Sequence, residues 1–412
     1  LTMEPRTRQK LALVVDRYGA EEVGEAGRRT RCIAAAAADR GHDITVVTTC
    51  ARTPGAWQNE HAEGETFLDG VRVLRFEVEP GSRGVAAWLR SAGRRRLPRW
   101  LAGVVPDERS TSLGLLQYLA RTRDSFDATV FTGAWGTTVR DGVAAVRTAV
   151  LAPPPVDDVS LGGADCAPLL MGAAAVLYAF PEQERLIQAG AACAPRHDAV
   201  VIGACSEPTS SKATSGFTSP QPVAGPFVLS VGVHGASSER LVQTFRAFRD
   251  AHASTPCEEA ERGTFEGRDL RLVLAGDFAH PFAPEDRVLG IGPVDDAVRG
   301  SLVRSALAVV HVDPAAQLPV QLIEAWGAGK PVVVVDANPL LRASAGRLAL
   351  RHACDAFTFP SCLAALLATR APRSTLSQQV RAHAQRVFSP AQVVHALEES
   401  LASLGASRAA RV

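Results

Sequence analysis

Short β-branched and apolar runs recur along the chain, separated by alanine-rich stretches. In the first half they are Leu11–Val15, Asp43–Thr48, Asp127–Thr132, Thr148–Ala152, Val176–Phe180 and Ala199–Gly203; in the second, Phe227–Val231, Leu270–Ala275, Leu307–His311 and Pro331–Val335. Runs apolar on both faces predict parallel strands covered by helices. Thr66–Val78 departs from this pattern: two strand-like runs flank Asp69-Gly70, which predicts a hairpin. Residues 204–226 are rich in Ser, Thr, Pro and Gly and predict a linker. The expected fold class is therefore α/β: two Rossmann-like doubly wound domains, 1–203 and 227–388, facing each other across a cleft at the carboxyl ends of strands. The segment 389–412 carries Val393, Val394, Leu397, Leu401 and Leu404 at helical spacing. This predicts a closing helix that buries one face, returning toward the N-terminal domain.

Composition narrows the function classes. The 412 residues exceed one hydrophobic core, in agreement with two domains. With 44 basic and 43 acidic side chains the net charge is +1, so no global field gathers nucleic acid or anionic membrane. The one dense charge run, Arg90–Arg99, reads as a solvated loop or as a grip on an anionic acceptor or lipid headgroup. Eight scattered cysteines without C-x-x-C or zinc spacing are expected to be reduced thiols, and no metal site is expected. No apolar run reaches the length of a transmembrane span, and Leu1–Lys10 is polar rather than an export segment; the expected location is the cytoplasm.

The residues filling the loops add a resemblance that covers nearly the whole chain. Tyr18–Gly24, Arg40–Ala51, Trp57–Glu60 and Asp69–Val73 in the first half, then Phe227–Gly232, Leu274-Ala275-Gly276, Gly292–Asp296 and Glu324–Val332 in the second, fall in an order and spacing that resemble a bacterial branch of glycosyltransferase family 4. The resemblance implies the glycosyltransferase-B fold and a retaining, metal-independent enzyme. It places the nucleotide of a donor such as a UDP- or GDP-sugar on the C-terminal domain and a glycan or metabolite acceptor on the N-terminal one. It implies no cofactor beyond that substrate: a helix N-terminus and basic side chains neutralise the leaving diphosphate.

The donor-binding positions that the resemblance assigns are Gly24, Val294, Leu318, Pro319 and Glu324, but five other positions depart from the family pattern. Glu25 stands where the family's glycine-rich loop approaches the phosphates; its carboxylate either opposes a diphosphate or turns to solvent in a helix's first turn. Val156 replaces the histidine expected near the reacting centre and cannot hydrogen-bond. Its neighbours Asp157 and Asp158 remain as acids that either hold a hydroxyl or are helix-capping or solvated, and Asp157 is the only candidate for a catalytic role. Val233 and Ser238 occupy the arginine and lysine positions that face the diphosphate. At about 1.5–3 kcal/mol per charged hydrogen bond, losing both removes about 3–6 kcal/mol, on the order of 10²–10⁴ in affinity. Ala316 replaces the first of two family glutamates and Glu324 keeps the second, which either holds a ribose diol or is a first-turn acid favoured by the helix dipole. His234, beside Val233, is the one side chain in that loop that could stand in for a cation.

With five donor positions altered together and the scaffold kept, the sequence favours a catalytically impaired glycosyltransferase relative that serves as partner or scaffold beside an active glycosyltransferase, or as a homo-oligomer. Two alternatives remain: an active enzyme with an atypical site, and a nucleotide or glycan sensor. The sequence contains no G-x-S-x-G, H-E-x-x-H or P-loop string that would give the cleft another chemistry.

Overall fold

The computed structural model describes residues 8–19, 25–52, 57–79, 112–132, 136–153, 166–178, 183–185, 187, 199–201, 223–259, 263–277, 287–292, 294, 296–312, 320–335, 352–368 and 370–409. The chain divides into two compact units: Leu1–Cys205 together with Pro390–Val412, and Ser206–Ser389.

In unit 1 the elements run β1 (Lys10–Val14), α1 (Glu25–Asp39), β2 (Asp43–Thr49), β3 (Gly64–Leu68), β4 (Val71–Phe76), α2 (Leu113–Arg121), β5 (Ala128–Phe131), α3 (Thr137–Ala145), β6 (Ala149–Leu151), α4 (Cys166–Gly172), β7 (Ala175–Tyr178) and β8 (Ala199–Val201). The eight strands form one sheet in the order β3-β4-β2-β1-β5-β6-β7-β8. All pairings are parallel except β3 with β4, the hairpin that the Asp69-Gly70 signal predicts. The interiors of β1, β2, β5, β6 and β7 are buried on both faces, as the continuous apolar runs require, whereas the edge strand β3 is exposed; two core clusters form, one on each side of the sheet.

Unit 2 runs β9 (Phe227–His234), α5 (Gly235–His252), β10 (Pro256–Glu259), β11 (Gly263–Glu266), β12 (Arg271–Asp277), β13 (Val288–Gly290), α6 (Asp296–Ser305), β14 (Ala308–Val312), α7 (Val320–Gly327), β15 (Val332–Val335), β16 (His352–Cys354), α8 (Phe359–Ala368) and α9 (Arg370–Val387). Six strands form a parallel sheet in the order β13-β12-β9-β14-β15-β16, with β10 and β11 a separate antiparallel pair. This is a second doubly wound unit. Two features depart from expectation. β9 does not stop at Val231 but continues through Gly232 to His234 and passes directly into α5, so His234 ends a strand rather than lying in a loop. The strand tolerates Gly232 because the register of β9 against β12 shifts there: Ala275 faces Val231 while Gly276 faces Val233, leaving Gly232 as the extra residue with φ of 74°.

The last helix, α10 (Pro390–Ala409), belongs to unit 1. Val393, Val394, Leu397 and Leu401 are buried in the same cluster as Ile33 and Ala37 of α1, which is the face the heptad-like spacing demands. A polar clamp closes the contact: Arg40 donates from Nε and Nη2 to the two Glu398 oxygens at 2.9 and 2.6 Å, and His42 Nε2 lies 2.9 Å from Glu398 Oε1.

The cysteines need a correction. Cys50, Cys257 and Cys362 form no disulfide, but Cys32 of α1 is disulfide-bonded, so the thiols are not all reduced. Among the described residues no helix is long and apolar enough to cross a membrane. The Arg90–Arg99 run and the linker up to residue 222 lie outside the described residues.

Candidate functional site

The carboxyl edge of the unit 2 sheet is where a doubly wound unit receives ligands. Four segments meet there. Gly232, at the end of β9, faces the first turn of α7: a Cβ at this position would stand 3.1 Å from Gln321 Nε2, so the missing side chain is what lets Gln321 lie against the strand. The end of β12 is tied to the segment after β13 by two backbone bonds, Ile291 N to Leu274 O and Gly276 N to Gly292 O, each 3.0 Å. Val294 follows, half-buried, just before α6.

Glu324 projects from the second turn of α7 and is met by Arg299 of α6. The guanidinium donates from Nε to one carboxylate oxygen at 2.8 Å and from Nη2 to the other at 2.9 Å, a two-pronged pair. The Arg299 and Glu324 side chains retain only 6% and 8% of their exposure. A pair this deep is held by mutual dependence, since removing one partner leaves a buried charge at a cost of about 3–5 kcal/mol. Sequence reading did not single out Arg299, although a signal was present. Arg299 lies three and four residues before Leu302 and Val303, on the apolar stripe of α6, and a charge on a buried stripe implies a buried partner.

The other candidates divide by position. Ser238, on the first turn of α5, is buried at 4% exposure, so its side chain is part of the packing. Val233 lies in β9. Glu25 is the first residue of α1, the position where a helix dipole favours an acid. Gly24, Val156, Asp157, Ala316, Leu318 and Pro319 lie outside the described residues, so of the expected donor set only Val294 and Glu324 are described, Glu324 paired with Arg299.

In unit 1 the corresponding edge is organised by three buried arginines that composition alone would assign to the surface. Arg31 donates to the Gly19 carbonyl at 3.0 Å, and Arg75 donates to the Tyr18 carbonyl at 2.9 Å and to Thr66 Oγ1 at 2.6 Å. Arg29 donates to the Pro153 carbonyl at 3.1 Å. These bonds fix the backbone at Tyr18, Gly19 and Pro153, just before the segments 20–24 and 154–165 that contain Gly24, Val156 and Asp157. Burial pulls the Arg75 guanidinium below its ordinary range, with the Cys50 and Tyr18 groups acting in the opposite direction. No cluster of three or more metal-ligating side chains occurs among the described residues.

Two doubly wound units in one chain are what the glycosyltransferase-B fold requires. The solved structures agree. Sucrose-phosphate synthase from Thermosynechococcus elongatus aligns over 97% of this chain and 100% of its own, at 14% identity and a TM-score of 0.60. An α,α-trehalose-phosphate synthase (UDP-forming) from Burkholderia vietnamiensis aligns over 98% and 99%, at 10% identity and a TM-score of 0.63. TarM from S. aureus aligns over 95% and 99%, at 7% identity and 0.59. No protein-family model matches the sequence, and no curated protein does. At these identities the likeness establishes the fold alone.

Proposed function

We propose that the chain is a glycosyltransferase-like protein, descended from the family 4 branch it resembles, whose donor site is impaired and which serves as a partner or scaffold beside an active glycosyltransferase in glycan or glycosylated-metabolite assembly. One observation carries this reading: the one donor-site glutamate retained, Glu324, has both carboxylate oxygens engaged by Arg299 in a buried pair. The identities of Val233 and Ser238 support it, because neither side chain carries a charge that can neutralise a diphosphate. Leaving-group charge grows in the transition state, so those missing cations weaken catalysis more than binding.

The second reading, an active retaining transferase, draws on the neighbours: one is a UDP-forming synthase, and TarM was solved with UDP. A panel of UDP-, GDP- and dTDP-sugars separates the two, scored for hydrolysis, transfer and thermal shift, with and without the proteins encoded nearby. A ligand at 100 times its dissociation constant adds about 2.7 kcal/mol of stability. The impaired reading expects no turnover by the isolated chain and co-purification with a second chain. Ordinary sugar transfer by the isolated chain overturns it.

A further inference from the structure

Arg299 holds the edge of Glu324 that a ribose diol would need. A guanidinium offers a carboxylate two roughly parallel N–H donors, and a vicinal diol offers two O–H donors to the same two oxygens. In this structure the guanidinium has that edge: Nε and Nη2 reach Oε2 and Oε1 of Glu324 at 2.8 and 2.9 Å. Both side chains are more than nine-tenths buried, so a ligand diol reaches the carboxylate edge that the guanidinium holds only by displacing the arginine. Displacement is opposed by packing on both sides. Arg299 leaves α6 from the stripe that buries Leu302 and Val303, and α7 is anchored by Leu322, Ile323 and Trp326, the last stacked on Phe388 with ring centroids 5.9 Å apart.

We propose that Arg299 is an internal plug of the nucleotide site in unit 2: its guanidinium takes the place of the ribose diol, and shortening it opens the site. This rests on the reading of Glu324 as a ribose-facing residue in an impaired donor site, and it gives that impairment a second cause, independent of the missing cations. It also assigns the ligand class admitted when the plug is removed: ribonucleotides with both ribose hydroxyls free.

The test uses the full chain as wild type, Arg299→Ala and the double variant Arg299→Ala/Glu324→Gln. The double variant leaves no unpaired buried charge and keeps an amide able to bond a diol, so it answers the question if the single variant folds poorly. Ligand-observed NMR measures the dissociation constants of UDP, GDP and their 2′,3′-dideoxy counterparts. The expected result is at least tenfold tighter binding of UDP or GDP to a folded plug-less variant than to wild type, and loss of that gain with the dideoxy ligands. If folded variants bind no better than a weakly binding wild type, the plug is refuted while the impaired donor site stands. If wild type already binds in a diol-dependent manner and Arg299→Ala loses it, Arg299 orients Glu324 instead, and both the plug and the impaired reading fall.

Discussion

The clamp between α10 and α1 offers a quantitative test of what holds the last helix in unit 1. In the substitution Glu398→Gln, the two-pronged bond from Arg40 loses its charge and His42 loses an anionic partner. Gln9 N–H donates to His42 Nδ1 at 3.3 Å, so the ring proton sits on Nε2 and points at Glu398. The Arg40 and Glu398 side chains are 22% and 14% exposed, between a surface pair, worth less than about 1 kcal/mol, and a fully buried one whose disruption costs about 3–5 kcal/mol. We take about 2 kcal/mol, which is roughly a thirtyfold change in an opening equilibrium. Hydrogen exchange of the α10 amides reads this locally, without assuming that the two units unfold together. The pH dependence provides a second check. Burial alone would raise the Glu398 carboxyl, but hydrogen bonds from Arg40 and His42 outweigh it and hold the group below its ordinary 4.5. A depressed carboxyl contributes stability above its unfolded value and loses it as pH falls through the folded value. Wild type and Glu398→Gln should therefore differ in protection above about pH 4.5 and converge below it. Less than a twofold change in α10 exchange at neutral pH would refute the clamp, leaving Val393, Val394 and Leu397 as the whole attachment.

Three further outcomes are expected. Gly232→Ala forces a side chain into the left-handed region and against Gln321, so it should destabilise unit 2 by about 1–2 kcal/mol in denaturant melts; a neutral result would argue against the bulge in β9. Ser230 is fully buried in β9 and its hydroxyl has no partner among the described residues, so Ser230→Ala should be within about 0.5 kcal/mol of wild type or stabilising, and a loss above about 1 kcal/mol would reveal a hydrogen bond. In thiol labelling of the native protein at pH 8, half-buried Cys362 should react before the buried Cys50 and Cys257. Cys50, whose thiol is pushed up to about 11 by burial and then by Glu63 and Glu77, should stay unlabelled; Cys32 should resist labelling even after unfolding until a reductant is added, and its modification without reductant would exclude the disulfide.

How much of this could be read in advance depended on whether one residue's neighbours in sequence were also its neighbours in space. The parallel strands were legible because burial on both faces leaves uninterrupted apolar runs, and α10 because its buried face repeats at helical spacing. β10 was not, since Pro256-Cys257-Glu258-Glu259 carries two acids, and β13 and β16 lack the continuous apolar run that marked the equally short β6 and β8, being broken by Gly290 and begun by His352. β9 appeared to end at Gly232 because glycine ordinarily punctuates a strand, whereas here it supplies the bulge. At the site, the place of Glu324 near the start of a helix was legible from its motif. Its engagement by Arg299 was not, because the two residues stand 25 apart in the chain and the contact is made only when α6 and α7 pack on the sheet. The buried roles of Arg29, Arg31 and Arg75 were hidden for the same reason: their partners are backbone carbonyls of distant loops, which leave no mark on residue type.

Because unit 1 is completed by Pro390–Val412, everything from Ser206 to Ser389 is an insertion within it. During synthesis the apolar face of α1 is made more than 350 residues before the α10 residues that cover it, so the first-made half must wait with that face open while the second half folds as a continuous segment. Truncations near the end of the chain should thus injure the part of the molecule made first.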